Sequence, residues 1–167
     1  MTRPDQEPRR FRELTRRARR DREASRVAVG ILKADSRVGQ ALERALIKAG
    51  LTLPQFNVLM ELASSDGAAL PLYELNSRLI NTAPNTSWLS NKMVDAGLVT
   101  KTRDTSDSRV VNLALTEHGW AALYTAAPLA FSAERELLAG YTKEELRTLA
   151  ELLGRLLTPA PGTRHQD

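Results

Sequence analysis

Between Asn85 and Lys92 the chain reads Asn-Thr-Ser-Trp-Leu-Ser-Asn-Lys, a run of amides, hydroxyls and one ammonium around a tryptophan. Such groups exchange hydrogen bonds readily but are neither strong nucleophiles nor bases. On a helical wheel at ~100° per residue, Asn85, Trp88, Asn91, Lys92 and Asp95 fall on one side, and Thr86, Leu89 and Met93 on the other. Asn pairs with an adenine edge, Lys with a guanine edge or a phosphate, and Ser with either, so Asn85, Ser87, Asn91 and Lys92 suit contact with nucleic-acid bases. An ordinary solvated helix face has the same composition, and the segment alone leaves both readings open. A second constellation follows, in which Arg103, Asp104, Asp107 and Arg109 crowd one short stretch. The mixed signs suit carboxylates that orient the arginines, with Arg109 projecting into a minor groove. The alternative is an exposed ion-pair network of little energetic value.

Other chemistries lack their residues. The chain has no cysteine, which excludes disulfides, thiolate metal sites and thiol redox sensing, and only His118 and His165 supply imidazole. No phosphate-binding loop, zinc-protease helix or nucleophile-elbow motif occurs, so neither an enzyme nor a cofactor or metal site is expected. His118 is read as part of a helix start.

The elements that would position the two constellations follow from periodicity and caps. From Ala24 to Ala49 the residues Val27, Ile31, Ala34, Val38, Ala41, Ala45 and Ala49 recur at spacings of three and four, predicting a long amphipathic helix. Leu32, Leu42 and Leu46 widen its stripe beyond one core face, which suits a helix that also packs on a second chain. After Gly50, Thr52-Leu53-Pro54-Gln55 reads as a capping box, with Phe56, Leu59, Met60 and Leu62 facing inward. Ser64 to Gly67 breaks the chain, and Leu72, Leu75 and Leu79 mark a short third helix. Asn81 to Pro84 is a turn; Pro84 opens a fourth helix and Gly97 stops it. Two β-rich runs, 98–102 and 110–115, read as a hairpin with a long tip. Thr116 caps a fifth helix, which Pro128 is expected to kink, and Thr142 to Glu145 is a second capping box ahead of Leu146, Leu149, Leu153 and Leu156. The predicted class is mainly α with a small β-hairpin wing: a winged helix-turn-helix inserted in a helical dimerisation domain. Its two central helices are residues 72–80 and 84–96, the second placed to enter a major groove.

The net charge of +4 is carried by residues 1–23, where nine arginines stand against five acidic side chains. The rest is neutral overall, so any nucleic-acid footprint in the folded body is a local patch. Phe11, Leu14 and Ala18 form only a weak stripe, and this segment is read as a mobile basic tail, with RNA or an anionic membrane as its alternative partners. The expected organisation is a basic tail at 1–23, a dimerisation helix at 24–50, a DNA-binding domain at 51–116, C-terminal dimerisation helices at 117–158 and a disordered tail at 159–167. No apolar run approaches the ~20 residues of a membrane span, so a cytoplasmic address without membrane partners is expected.

Asp107-Ser108-Arg109 followed by Leu115-Thr116-Glu117-His118-Gly119 resembles the wing of the MarR family. Gly97-Leu98-Val99 before the wing, and Leu51 to Phe56 opening the second helix, are similar to that family in the same order. The resemblance covers residues 25–157. It implies a homodimer joined through its terminal helices, two reading helices ~34 Å apart on a pseudo-palindromic duplex operator, and repression of transcription. By the same carry-over Arg109 is the wing arginine, Asp107 its positioning partner, and Asn85, Thr86, Ser87, Trp88, Asn91 and Lys92 the major-groove contacts. Arg78, Lys101 and Arg103 are added as further DNA contacts, Arg78 and Lys101 toward phosphate. The family also implies a small aromatic or phenolic effector bound between dimerisation helices and winged domain; Arg26, Lys33, Arg37 and Tyr73 are candidates to line its pocket, and no residue identifies the ligand. Trp88 departs from the family, which often has a basic or small polar residue there. We expect its indole to pack in the core, since exposure costs solubility, with a sugar or thymine-methyl contact as the alternative. A winged-helix module that binds another protein rather than an operator is the competing function.

Overall fold

The structure, a computed structural model, describes residues 22–65, 69–79 and 86–158. The basic segment, the turn at 81–84, Asn85, the side chain of Thr86 and the last nine residues lie outside that description.

The first predicted helix forms as α1 (Arg22–Leu46) and tightens into a 3₁₀ turn (Ile47–Ala49), where Gly50 takes the left-handed conformation at φ 70°. Next, α2 (Leu53–Ala63) starts from the expected capping box: the Gln55 N–H donates to the Thr52 hydroxyl at 3.4 Å, and the Thr52 N–H to the Gln55 side chain at 3.0 Å. Two residues of strand, β1 (Leu70–Pro71), lead into α3 (Leu72–Arg78). Helix α4 (Thr86–Asp95) precedes β2 (Val99–Arg103) and β3 (Val111–Leu115), and the chain ends in α5 (Glu117–Leu137) and α6 (Lys143–Leu157).

The sheet departs from the expectation of a bare hairpin. It has three antiparallel strands in the order β1-β3-β2, with Leu70 opposite Leu113, Val99 opposite Leu115 and Arg103 opposite Val111. Leu70, Val99 and Leu113 are buried, so the sheet lays one face on the core. That core draws on every central element: Phe56, Leu59 and Leu62 of α2, Leu75 of α3, Met93 of α4 and Leu123 of α5 enclose it, with Leu46 closing the end of α1.

The end of α4 is fixed by backbone geometry. Gly97, at φ 69°, donates to the Val94 carbonyl at 2.8 Å, and Leu98 donates to that of Met93 at 2.9 Å. This pair of bonds turns the chain out of the helix straight into β2. Thr116 then ties three elements together. Its hydroxyl donates to the Gly97 carbonyl at 2.6 Å and accepts the Gly119 N–H at 2.9 Å, while its own N–H reaches the Leu98 carbonyl at 3.2 Å. Helix and strand approach so closely that a Cβ on Gly119 would stand 2.0 Å from the Leu98 carbonyl oxygen. Helix α5 runs unbroken through Pro128 and packs along α1.

Candidate nucleic-acid interface

Helix α4 divides its residues as its neighbours require. Met93 and Ser90 are buried and Leu89 is half-buried, whereas Ser87, Trp88, Asn91, Lys92 and Asp95 face outward. Ser90 can turn inward because its hydroxyl donates to the Ser87 carbonyl at 2.9 Å, so it carries no bare hydroxyl into the core.

The structure corrects the expectation for Trp88. Its indole is 54% exposed, and the Lys92 ammonium sits 4.3 Å from the ring centroid. A cation over the ring attracts its negative face, worth ~0.5–1 kcal/mol at an exposed site. That contact holds the side chain on the polar face of α4 beside Asn91 rather than in the core.

Asn91 is also held. Lys101, on β2, donates from its ammonium to the Asn91 side-chain carbonyl at 2.6 Å, so the wing and the exposed helix face are joined through side chains. Sequence reasoning named both residues but assigned them separate contacts; nothing in a linear spacing of ten reveals the bond.

At the wing tip the carboxylates do not orient guanidinium groups. Asp104 accepts from the Ser106 hydroxyl, from the Ser106 N–H at 2.8 Å and from the Asp107 N–H at 3.2 Å, and Asn112 reaches it at 3.4 Å. These bonds, the Ser106 hydroxyl first, hold the Asp104 carboxyl down at about 2. Asp107 accepts the backbone N–H of Arg109 at 2.9 Å. The acids thus shape the loop's backbone and leave the Arg103 and Arg109 side chains in solvent. The Asp-x-Ser-Asp order at 104–107 is the available signal, because an Asp side chain commonly accepts an N–H two residues on.

Among the described residues the only ion pair joins Arg78 to Glu74, and Arg78 also donates to the Ser65 hydroxyl at 3.1 Å. Its guanidinium therefore ties the end of α3 to the segment just after α2. Arg26, Lys33, Arg37 and Tyr73 are exposed and line no described cavity. A cavity of ≈ 370 Å³ lies instead between the α1–α2 junction, the end of α4 and the first turns of α5, with Gln55, His118 and Thr125 among its walls.

A buried-faced helix with a polar outer face, preceded by a short helix and followed by a β-ribbon with arginines at its tip, is the geometry of winged helix-turn-helix proteins. Residues 51–111 match the model of the MarR family. The chain is 29% identical over 121 residues to the HTH-type transcriptional regulator PecS of Dickeya dadantii, covering 71% of this chain and 72% of PecS. A cysteine-to-serine mutant of MarR from E. coli, solved in complex with operator DNA, shares the fold with a TM-score of 0.74 at 24% identity, covering 80% or more of both chains: 81% of this one and 96% of that one. The organohalide-sensing transcriptional regulator RdhR, solved in a 2,4-dichlorophenol-bound form, superposes with a TM-score of 0.71 at 25% identity over 78% of this chain and 76% of its own. The match to the MarR family thus falls on the winged helix-turn-helix segment, and the chain around it shares the fold of solved MarR-type regulators.

Proposed function

We propose that this chain is a transcription regulator that binds a pseudo-palindromic duplex operator as a homodimer and represses from it. The observation that carries the reading is the outer face of α4: Ser87, Trp88, Asn91 and Lys92 are exposed on a helix whose other side is anchored by Met93, beside a wing that presents Arg103 and Arg109. The helix enters the major groove and Arg109 enters the adjacent minor groove. Asn85 and the Thr86 side chain, which lie outside the described residues, are assigned to base contact as well, with Lys101, Arg78 and Asp107 in supporting positions. Operator binding by the MarR homologue of like fold supports the assignment. Exposed apolar residues on α1 and α6, including Val27, Leu32, Leu152 and Leu156, support a second copy as the partner.

The regulator responds to a small aromatic or phenolic effector, a reading supported by the dichlorophenol complex of RdhR and by the ≈ 370 Å³ cavity between helical and winged parts. It works in the cytoplasm without catalysis; no helix among the described residues is long and apolar enough to cross a membrane. The test is a gel-shift titration with DNA flanking the protein's own gene against unrelated duplex at two salt concentrations. Selective binding that weakens steeply with salt is expected, since neutralised phosphates release counterions. Equal, weak binding to both duplexes would favour a protein-docking module.

A further inference from the structure

An asparagine reads adenine by using both halves of its amide: the NH₂ donates to N7 while the carbonyl accepts from the N6 amine. In this protein one of the two lone pairs of Asn91 Oδ1 is already engaged, because the Lys101 ammonium donates to it at 2.6 Å, and a cation beside that oxygen opposes the approach of an adenine N6 amine. A lysine carries donors only, which dictates the orientation of the amide: oxygen toward Lys101, NH₂ away from it. The neighbouring groups have the same character. Lys92 contributes an ammonium and Trp88 an indole N–H, and neither offers an acceptor in its place.

We infer that Lys101 sets the base preference of Asn91, turning it from an adenine reader into part of a donor-only pair that selects guanine. The inference rests on the proposed DNA-binding reading and deepens it. With Oδ1 turned toward the Lys101 ammonium, the Asn91 NH₂ and the remaining N–H groups of Lys101 form two adjacent donors. Guanine is the base that presents two adjacent acceptors, O6 and N7, to the major groove. Adenine at that position would bring its N6 amine up against the Lys101 ammonium, donor against donor, and leave N–H groups of Lys101 without an acceptor in a desolvated interface. The bond between Lys101 and Asn91 is exposed to water in the free protein. It strengthens when DNA excludes solvent, because screening by water is lost. Lys101 thus has two parts from its place on β2: it orients the Asn91 amide of α4, and it donates to the base itself.

A phosphate oxygen is also an acceptor, and the test separates the two sources. The full-length protein selects duplexes from a randomised pool, and the affinities of Lys101→Met, Lys101→Arg and Asn91→Ala are then measured on the selected operator and on its guanine-to-adenine variant at two salt concentrations. The wild type is expected to prefer guanine by roughly 10- to 100-fold. Lys101→Met should lose or reverse that preference, Asn91→Ala should lose it, and Lys101→Arg, which keeps a donor to Oδ1, should retain it. If Lys101→Met weakens both operators equally and lowers the salt slope by about one, the ammonium serves phosphate and the inference falls. If the wild type selects no sequence at all, the DNA-binding reading fails with it. Selection of an operator with adenine under Asn91 overturns the inference alone.

Discussion

Arg109 leaves the wing with its N–H held by Asp107 and its side chain in solvent, a geometry that separates shaping the loop from the proposed contact with DNA. Arg109→Ala should therefore weaken operator binding by about 1–3 kcal/mol in a fluorescence-anisotropy titration, with the oligomeric state unchanged in sedimentation. Asp104 has the complementary part. Its carboxyl, held down at about 2 by Ser106, Asp107 and Asn112, contributes order to the wing tip that is fully present above the ordinary value of 3.8 and lost as pH falls through about 2. A carboxyl titration by NMR should show that low midpoint, and Asp104→Ala should speed amide exchange at Ser106 and Asp107. Gly119 is fixed by space rather than charge. Gly119→Ala would drive a methyl into the Leu98 carbonyl, and strain of roughly 1–3 kcal/mol or more should appear in a denaturant midpoint. At this scale the sequence revealed which side chains are polar and where they stand, but not their partners. Trp88 shows why: hydrophobicity favours burial, and only the placement of Lys92 over the ring shows how an exposed indole is accommodated.

Elements were more legible, because caps and periodicity are local. Thr52 with Gln55 and Thr142 with Glu145 both close the boxes their spacing suggested, and the Thr142 N–H and hydroxyl hold the Glu145 carboxyl below its ordinary range. Helix periods survived because each apolar stripe is long enough to outvote its exceptions. Strand β1 was missed for the converse reason: two residues carry no alternation, and pairing of Leu70 with Leu113 is decided across more than forty residues of chain. Pro128, where a kink is expected, does not end α5, whose helix continues to Leu137. At the junction of elements, Thr116 both caps α5 and bonds to the last turn of α4. Thr116→Ala should cost about 1–2 kcal/mol of stability in thermal or denaturant unfolding, whereas Thr116→Ser, which keeps the hydroxyl, should retain most of it.

At the scale of the whole molecule, the apolar residues without cover are concentrated in α1 and α6, the first and last helices of the described residues. Leu152 of α6 is 54% exposed and Leu32 of α1 is 69% exposed, although both helices are strongly amphipathic. Such surfaces are stabilised by burial against a second chain. Leu152→Asp should therefore shift the protein to a monomer in sedimentation, and operator affinity should fall by roughly 100-fold or more as the two half-sites cease to be bound together. The closeness of Gly119 to Leu98 also has a mechanical meaning. Helix α5 is welded at its first turn to the hinge between α4 and the wing, and its 21 residues extend about 30 Å from that point. A rigid rod of that length is a lever arm: a tilt of ~5° at the far end, where α6 begins, corresponds to a sideways travel of roughly 3 Å. Because the weld leaves no slack for a methyl group, little of the rotation is lost in transmission, and in the proposed dimer a small change in how the two copies lean together would become a change in the pitch of both α4 helices.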